Sequence, residues 1–491
     1  MSKTSSLTVS RLGIAAALVG SLLTTPARAE TATAFHYDPN TVGAATYFAA
    51  LSNLANAIMF SGLGDPLIIS PYERDNWLRR AGYVTRPPMP DMAVVGPIYA
   101  AALPQFETAP DYSQPATLRW DPASFDRTLD PGAQAWTLIK ISSPEFHLQY
   151  HDLPENKLAG LMMIPQARVQ ARLLEKKLRN AQGLFAARTP ENLFLDPKPR
   201  DQAAGLWAVS NLILAATSPR DDYWHQAYRD LVKADTYRSL ADLSLEAVVK
   251  LPPQTAADSA IAVAALGRYA LITESDEKRD QAVNLVRQYA DILRSSEATG
   301  LEDRALAVYG LIEAARLLEE PAYAKAAADI FRSSVVPLWD EDLGVFRTSR
   351  NALSIIYTPR LTGAVVAALN AMRWRGPKTL AVQAREFYPR FFENAVIRSG
   401  LLRASPLPLV SKAYLETASP ASFAHPLLPS SEERGVAAVF VSKVAYEDGQ
   451  WRVTDPLFRT AEAIFLTDML ALRSQERSDV FLPEGRLQTL K

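Results

Sequence analysis

The stretch Arg200–Ala216, with the sequence RDQAAGLWAVSNLILAA, repeats small and apolar residues at helical spacing behind a short polar opening. Apolar residues that recur at intervals of three and four line one face of a helix. The same pattern returns four times along the chain, at Thr255–Leu271, Leu301–Leu317, Pro359–Met372 and Leu457–Leu472. Self-similarity of this kind predicts a repeat architecture.

The small-residue helices alternate with helices that are more highly charged. The predicted pairs are Asp201–Ala216 with Asp221–Val249, Asp258–Ile272 with Glu277–Ser295, Asp303–Leu318 with Ala322–Val336, and Arg360–Arg373 with Thr379–Val396. The first helix of each pair is nearly uncharged after its first turn, so it should be buried on most sides. The second is amphipathic and should lie outside. The alternation of the two kinds of helix is that of αα-hairpins and predicts a mostly α fold, a ring of such hairpins.

Residues 1–29 have the layout of a secretory signal. Lys3 and Arg11 supply a positive start, Leu12–Leu23 an apolar core, and Ala27–Ala29 a small-residue cleavage site. The apolar core is too short to span a membrane, so we expect cleavage and export, most simply to a bacterial periplasm. Val42–Ser61 is apolar in character but carries two asparagines in mid-span, which favours a buried helix over a membrane span.

Composition excludes several classes of function. The chain has no cysteine, which excludes disulfides, thiolate catalysis and cysteine-held metal or haem. Its 52 Lys and Arg residues are interspersed with 53 Asp and Glu residues, so nothing indicates a surface for nucleic acid. We find no Walker loop, Rossmann fingerprint or G-x-S-x-G elbow, and we expect no cofactor.

The chain divides into three parts. After the signal, residues 30–134 hold the Val42–Ser61 helix and a segment rich in proline and aromatic residues, which should wrap the body without long helices. Residues 135–491 should form the ring of hairpins, with β insertions near 343–357 and 436–454. Glu447-Asp448-Gly449 between two β-prone runs is a strong hairpin signal.

The helix openings are the first candidate site. Inner helices of a closed ring point the same way, so their first turns should gather at one mouth. The residues there are Asp201, Asp258, Glu302 or Asp303, Arg360, and Arg459 with Glu462. Carboxylates facing each other across a cleft can act as general acid and as base or nucleophile. The alternative is that these acids cap their helices and stabilise the helix dipole.

The second candidate is the run Trp339–Phe346, WDEDLGVF, at the end of an outer helix. Trp339 could stack on a sugar while Asp340 acts on the glycosidic oxygen, and Trp207 could supply a further platform. The alternative is a polar turn that leads into a strand, with Trp339 in the core. Calcium is improbable because Asn351 occupies the position where an EF-hand loop needs a bidentate Glu.

His147 and His151 are the third candidate. On a helix, their four-residue spacing places both imidazoles on one face, and Asp152 could assist as a further ligand. The motif lacks the Glu of H-E-x-x-H and is weak. The alternative is a pair of surface or hydrogen-bonded histidines.

The alternating helix pairs and the run Trp339-Asp340-x-x-x-Gly344-x-Phe346 resemble the six-hairpin (α/α) toroid superfamily, which includes many glycosidases, polysaccharide lyases and sugar epimerases. The resemblance covers roughly residues 155–474. It implies an (α/α) toroid with short β-hairpin insertions and a Pro-rich N-terminal wrap, and a role in carbohydrate chemistry.

Our first hypothesis is therefore an exported glycoside hydrolase or polysaccharide lyase-like protein that acts in the toroid cleft. Its catalytic acids would be Asp303, Asp258 and Asp340, without a metal. Its substrate, a glycan or anionic sugar, would be bound by Arg360, Arg459, Trp339 and Trp207. A second hypothesis is a non-catalytic periplasmic accessory or scaffold that binds a protein partner. A third is a metalloprotein that uses His147 and His151.

Overall fold

The computed structural model describes residues 55–86, 93–110, 115–143, 154–220, 223–295, 300–349, 354–403, 436–437 and 439–471. The predicted signal 1–29, most of the Val42–Ser61 helix, and the His147 and His151 pair lie outside the described residues. Export and the third hypothesis therefore stay predictions.

Helices make up most of the described chain. They are α1 (Pro71–Ala81), α2 (Pro131–Ile141), α3 (Pro154–Lys177), α4 (Pro199–Thr217), α5 (Tyr223–Leu231), α6 (Asp235–Lys250), α7 (Ala256–Ile272), α8 (Asp276–Ser295), α9 (Leu301–Leu318), α10 (Pro321–Ile330), α11 (Pro359–Arg375), α12 (Lys378–Phe391) and α13 (Thr460–Ala471).

Six of these helices form a closed ring. In order around the ring they are α2, α4, α7, α9, α11 and α13, each packs against the next, and α13 packs against α2. Helices α3, α6, α8, α10 and α12 pack outside the first five ring members in turn. The ring helices are buried on almost every side: all residues of α4 from Asp201 to Ala216 are buried. The chain is thus an (α/α) toroid, as the alternation of small and charged helices predicted.

The helix boundaries follow the sequence pattern with local differences. The outer helix predicted over Asp221–Val249 is divided between α5 and α6. Helices α10 and α12 continue as π-helical turns over Phe331–Val335 and Phe392–Arg398. Pro165 lies inside α3, which runs through it without a break.

Caps and prolines fix the starts of the ring helices. The Thr255 hydroxyl accepts the N–H of Asp258 (3.0 Å) at the start of α7, and the Thr358 hydroxyl accepts the N–H of Leu361 (3.2 Å) at the start of α11. Helices α2, α4 and α11 each begin with proline, where the missing N–H has no cost.

The N-terminal segment joins the ring through a small antiparallel sheet. Strand β2 (Ala93–Ala102) pairs with β1 (Gly64–Ile68), with β3 (Asp126–Leu129) and with β9 (Phe458–Arg459). Strand β9 leads directly into α13, and β3 leads into α2. The sheet thereby ties together the two helices at which the ring closes.

The predicted β insertions are present, and they are joined to each other. Strands β4 (Trp339–Asp340) and β5 (Val345–Phe346) form one short pair. Strand β6 (Ile355–Tyr357) pairs with β7 (Lys443–Glu447), which forms a hairpin with β8 (Gln450–Asp455). At the turn of this hairpin Asp448 and Gly449 have φ of 51° and 79°, which is the conformation that the Asp-Gly signal predicts.

None of the helices in the described part of the chain combines the length and the apolar character needed to cross a bilayer.

Candidate active site at the mouth of the helix ring

The ring has one elaborated end. The connections that lead from outer helices back to inner ones include the long segments 178–198, 331–358 and 392–459. At the opposite end the connections from α7 to α8 and from α9 to α10 are short, 273–275 and 319–320. Because hairpin partners are antiparallel, the long segments surround the N-terminal ends of the ring helices. We call this end the mouth.

Ion pairs join the openings of four ring helices at the mouth. Arg200, in the first turn of α4, contacts Asp258 of α7 (Nε–Oδ1 3.3 Å) and Glu302 of α9 (Nη2–Oε1 3.1 Å). Arg360 of α11 also donates to Glu302. Of these four residues, Asp258, Glu302 and Arg360 were predicted at a common mouth, and Arg200 joins them in the structure.

The other two ring helices contribute carboxyl groups. Glu462 lies in the first turn of α13. Burial raises the pKa of its carboxyl group, and the positive charges of Arg360 and Arg459 partly lower it again. Asp130 is the N-cap of α2, and its carboxylate accepts the N–H of Gly132 (3.0 Å). All six ring helices thus supply polar groups to the mouth.

Asp130 and Asp201 form a carboxyl pair, in which Asp201 is buried and Asp130 is partly exposed. A Cβ placed on Gly132 would lie 3.1 Å from Asp201 Oδ1 and 3.5 Å from Asp130 Oδ1, so the two carboxyl groups flank this glycine. Asp201 is only 8% exposed. The pKa of Asp201 is raised to about 8. Burial is the larger cause and the negative charge of Asp130 is the second, while the positive charge of Lys198 lowers the pKa.

The pKa of Asp130 is also raised, because burial outweighs the stabilising effects of Lys198 and of the Gly132 N–H. Two neighbouring carboxyl groups in such a place do not both ionise readily, so the raised pKa values favour a protonated form of the pair. The mouth therefore contains a carboxylic acid that can donate a proton under physiological conditions.

The run Asp130-Pro131-Gly132 explains how the pair forms. Aspartate is a good N-cap, proline suits the first turn of a helix, and glycine leaves room for the Asp201 carboxyl group. Sequence reasoning missed Asp130 because this residue fell in the segment predicted to wrap the body. The signal that could have found it is the Asp-Pro-Gly helix opening.

Besides Arg360, two further guanidinium groups at the mouth are bound to carboxylates. Arg200 is held between Asp258 and Glu302, and its pKa is lowered by burial and by the nearby charge of Arg360. Arg459 pairs with Asp455 (3.2 Å) and donates to the Ser442 hydroxyl (2.8 Å).

The three acids preferred from sequence have different surroundings. Asp258 belongs to the Arg200 network and is 8% exposed. Asp303 accepts the N–H of Ala257 (2.9 Å), so it caps the neighbouring ring helix α7. Asp340 accepts Arg347 Nε (2.8 Å) and the N–H of Leu343 (3.0 Å). Although burial opposes the change, these donors lower the pKa of Asp340.

The two tryptophans proposed as sugar platforms pack against protein groups. Trp339 stacks on Phe387 at 4.3 Å between ring centroids, and its indole N–H donates to Glu341 (2.7 Å). Trp207 is fully buried, with the Arg268 guanidinium 4.2 Å above its ring. A sugar could reach Trp207 only by displacing the core, so the structure gives this residue a packing role.

In the described ranges no three His, Asp or Glu side chains are grouped so as to hold a metal ion. The candidate pair His147 and His151 is outside those ranges.

Several solved structures share the arrangement of helices. A D-mannose isomerase is 8% identical, with 82% of this chain and 97% of that chain covered and a TM-score of 0.47. A sugar epimerase from a ruminal bacterium is 10% identical, covering 76% and 92%, with a TM-score of 0.44. A glycoside hydrolase family 76 mannosidase from Bacteroides thetaiotaomicron is 9% identical, covering 90% and 100%, with a TM-score of 0.43. At such identities the likeness concerns the course of the backbone alone.

No protein-family model matches the sequence, and none of the curated proteins matches it. The fold defines the class of protein, an (α/α) toroid with a polar mouth.

Proposed function

We propose that this protein is a carbohydrate-active enzyme, and that Asp201 is the proton donor of its reaction. The observation that carries the proposal is the Asp130 and Asp201 pair, which keeps a proton near neutral pH at the mouth of the ring. Cleavage of a glycosidic bond needs such an acid, because the leaving oxygen must be protonated as the bond breaks.

A second carboxylate can serve as base. Asp258 is near enough to Asp201 to affect its pKa, and its ion pair with Arg200 keeps it in place. A general acid with a second carboxyl group near it is the pairing that glycoside hydrolysis requires. Asp303 and Asp340 are weaker candidates, because each already satisfies neighbouring backbone donors.

The charge of the mouth favours a neutral sugar. The sequence suggested that Arg360 and Arg459 bind an anionic sugar. In the structure Glu302 and Asp455 pair with these two guanidinium groups. An anionic ligand would have to displace a carboxylate from either arginine and would meet Glu462 nearby. We therefore propose a neutral glycan as substrate.

The test is a screen of the purified protein against neutral glycans, by thermal shift and by release of reducing ends. A specific ligand stabilises the native state by mass action. Asp201→Asn should keep glycan binding and lower turnover at least about a hundredfold, the typical contribution of general acid catalysis. The control is Asp329→Asn, which removes an exposed carboxylate on outer helix α10.

The possible outcomes separate the hypotheses. Binding without turnover in the wild type would favour the non-catalytic scaffold. If Asp201→Asn keeps full turnover, Asp201 is not the proton donor. A loss of turnover in Asp258→Asn, Asp303→Asn or Asp340→Asn would then assign that role to one of the acids preferred from sequence. We also propose that the enzyme acts in the periplasm, which cell fractionation and N-terminal sequencing of the mature chain would test.

A further inference from the structure

A small hairpin beside the mouth exposes three consecutive large apolar side chains. Leu193, Phe194 and Leu195 are 64%, 41% and 48% exposed, and they lie in the connection between α3 and α4. Complete burial of one such side chain contributes roughly 1.5–3 kcal/mol to stability, and these exposed side chains do not make that contribution. A run of exposed apolar residues of this kind usually marks a binding surface.

Hydrogen bonds hold the hairpin in one conformation. The N–H of Thr189 donates to the carbonyl of Leu193 (2.9 Å), and the N–H of Asn192 donates to the carbonyl of Thr189 (2.9 Å). Asn192 adopts a left-handed conformation with φ of 68°, which asparagine tolerates well. At the base, the N–H of Leu195 donates to the carbonyl of Ala187 (2.8 Å). The exposed side chains are therefore presented by an ordered backbone.

The same hairpin is attached to the proposed acid pair. Arg188 and Leu129 exchange both of their backbone hydrogen bonds, at 2.8 and 2.9 Å, and Leu129 immediately precedes Asp130. At its other end the hairpin continues through Lys198, whose carbonyl accepts the N–H of Asp201 (3.1 Å). Leu193, Phe194 and Leu195 consequently belong to a hairpin whose two ends are attached to the segments that carry Asp130 and Asp201.

Polar groups accompany the apolar surface. The Arg188 guanidinium lies 5.4 Å from the centroid of the Phe194 ring. Its Nε is buried and has no hydrogen-bond partner among the described residues. An apolar ring with an adjacent donor matches a pyranose, which has an apolar C–H face and hydroxyl groups at its edge.

We infer that Phe194, flanked by Leu193 and Leu195, forms an outer subsite that binds one further sugar unit of an oligosaccharide held at the mouth. The ligand class is a neutral oligosaccharide that stacks a ring on Phe194 and places a hydroxyl near Arg188. This inference rests on the proposed function, because the occupant is the substrate of that site.

The experiment compares neutral manno-, cello- and xylo-oligosaccharides, from mono- to hexasaccharide, by calorimetry and by steady-state kinetics. Phe194→Ser should weaken binding of the longer oligosaccharides about tenfold and raise their KM, with little change in kcat or in monosaccharide binding. Phe194→Trp should restore binding of the long ligands. The control is Val382→Ser, since Val382 is 46% exposed on outer helix α12.

Each outcome is informative. If the wild type binds an oligosaccharide and Phe194→Ser binds every length equally well, the subsite is refuted while the proposed function stands. If wild-type protein binds none of these sugars, both fail. If the wild type self-associates and Phe194→Ser abolishes this without affecting sugar affinity, the hairpin is a protein-binding surface and the subsite is wrong.

Discussion

At the scale of single residues, the mouth shows how burial changes the chemistry of an ordinary aspartate. Asp201 begins α4, where a carboxylate would normally be stabilised by the helix dipole. Here the adjacent carboxyl group of Asp130 and the loss of water outweigh that effect, and the pKa rises to about 8. The outcome depends on tertiary neighbours, so the sequence of α4 alone does not reveal it.

Replacing Asp201 by Asn should change how stability depends on pH. The folded-state pKa of Asp201 is raised above the ordinary value of 3.8, so between these two values the folded protein holds a proton that the unfolded chain has lost. Wild-type stability should therefore fall as pH rises from about 4 towards 8. In Asp201→Asn this fall should be much smaller. Urea unfolding at several pH values measures it, and identical slopes in both proteins would contradict the pKa assignment.

Replacing Gly132 by Ala should damage the acid pair more than the fold. The new Cβ would lie 3.1 Å from Asp201 Oδ1 and 3.2 Å from the Cβ of Ala461. Overpacking costs about 1–3 kcal/mol, but alanine gains up to about 1 kcal/mol in helix propensity. We expect a net loss of stability near 1 kcal/mol and about a tenfold loss in kcat/KM.

Gly300→Ala is the matched control for Gly132→Ala. Gly300 is the N-cap of ring helix α9, and no atom of the described residues lies within 4 Å of its added Cβ. Equal activity losses in the two variants would show that displacement of Asp201 is not the cause.

At the scale of helices and strands, most of the predicted elements were found from the spacing of apolar residues and from residue composition. The ring helices were identifiable because small residues extend around almost their whole circumference. The break between α5 and α6 could not be identified from the sequence, because the residues Val232-Lys233-Ala234 include no proline or glycine that would mark it. The strand partners were equally hidden, since β6 pairs with a strand nearly ninety residues away.

Close packing between ring helices α7 and α9 depends on two glycines. A Cβ on Gly310 would lie 2.8 Å from the Cα of Ala260, and a Cβ on Gly267 would lie 2.1 Å from Cδ1 of Leu317. In Gly310→Ala the new methyl group clashes with the backbone of Ala260, which can move only together with its helix. In Gly267→Ala it clashes with the flexible side chain of Leu317. We expect both variants to be destabilised by about 1–3 kcal/mol, with the larger loss in Gly310→Ala.

Combination with Leu317→Ala separates the two causes. Leu317→Ala should offset part of the loss in Gly267→Ala, giving a favourable coupling energy in a double-mutant cycle. The same change combined with Gly310→Ala should be additive. Denaturant unfolding of the six proteins supplies the energies, and additivity in both pairs would refute the contact between Gly267 and Leu317.

At the scale of the whole molecule, closure of the ring assembles the candidate site. The sequence placed Asp258, Glu302 and Arg360 at a common mouth, because helix direction and repeat order were readable. It did not identify the pair of Asp130 with Asp201, because that pair exists only once α2 has taken its place beside α4. The burial of Trp207 was hidden for the same reason, since it depends on neighbours from other repeats. The ion pair of Asp340 is local, with Arg347 seven residues further along the chain, but the sequence pattern does not show that the two side chains meet.

Ring closure also buries two ionisable groups, Lys140 of α2 and Asp468 of α13, both of which are inaccessible to solvent. Burial lowers the pKa of Lys140 to about 7 and raises that of Asp468 well above its ordinary value, while each charge partly offsets the effect on the other. Neither oxygen of Asp468 has a hydrogen-bond partner among the described residues. The pair therefore connects the first ring helix to the last at a high cost in desolvation.

Removing one member of this pair should cost more than removing both. In Lys140→Met the Asp468 carboxyl group loses its counter-charge in a buried site, and we expect a loss of about 3–5 kcal/mol. Because the folded-state pKa of Asp468 is raised, the loss should be greater at pH 8 than at pH 5. In Lys140→Met with Asp468→Leu no buried charge remains, and most of the stability should return. Urea unfolding at both pH values tests this, and a double variant no more stable than Lys140→Met would show that the two charges do not act as a pair across the ring closure.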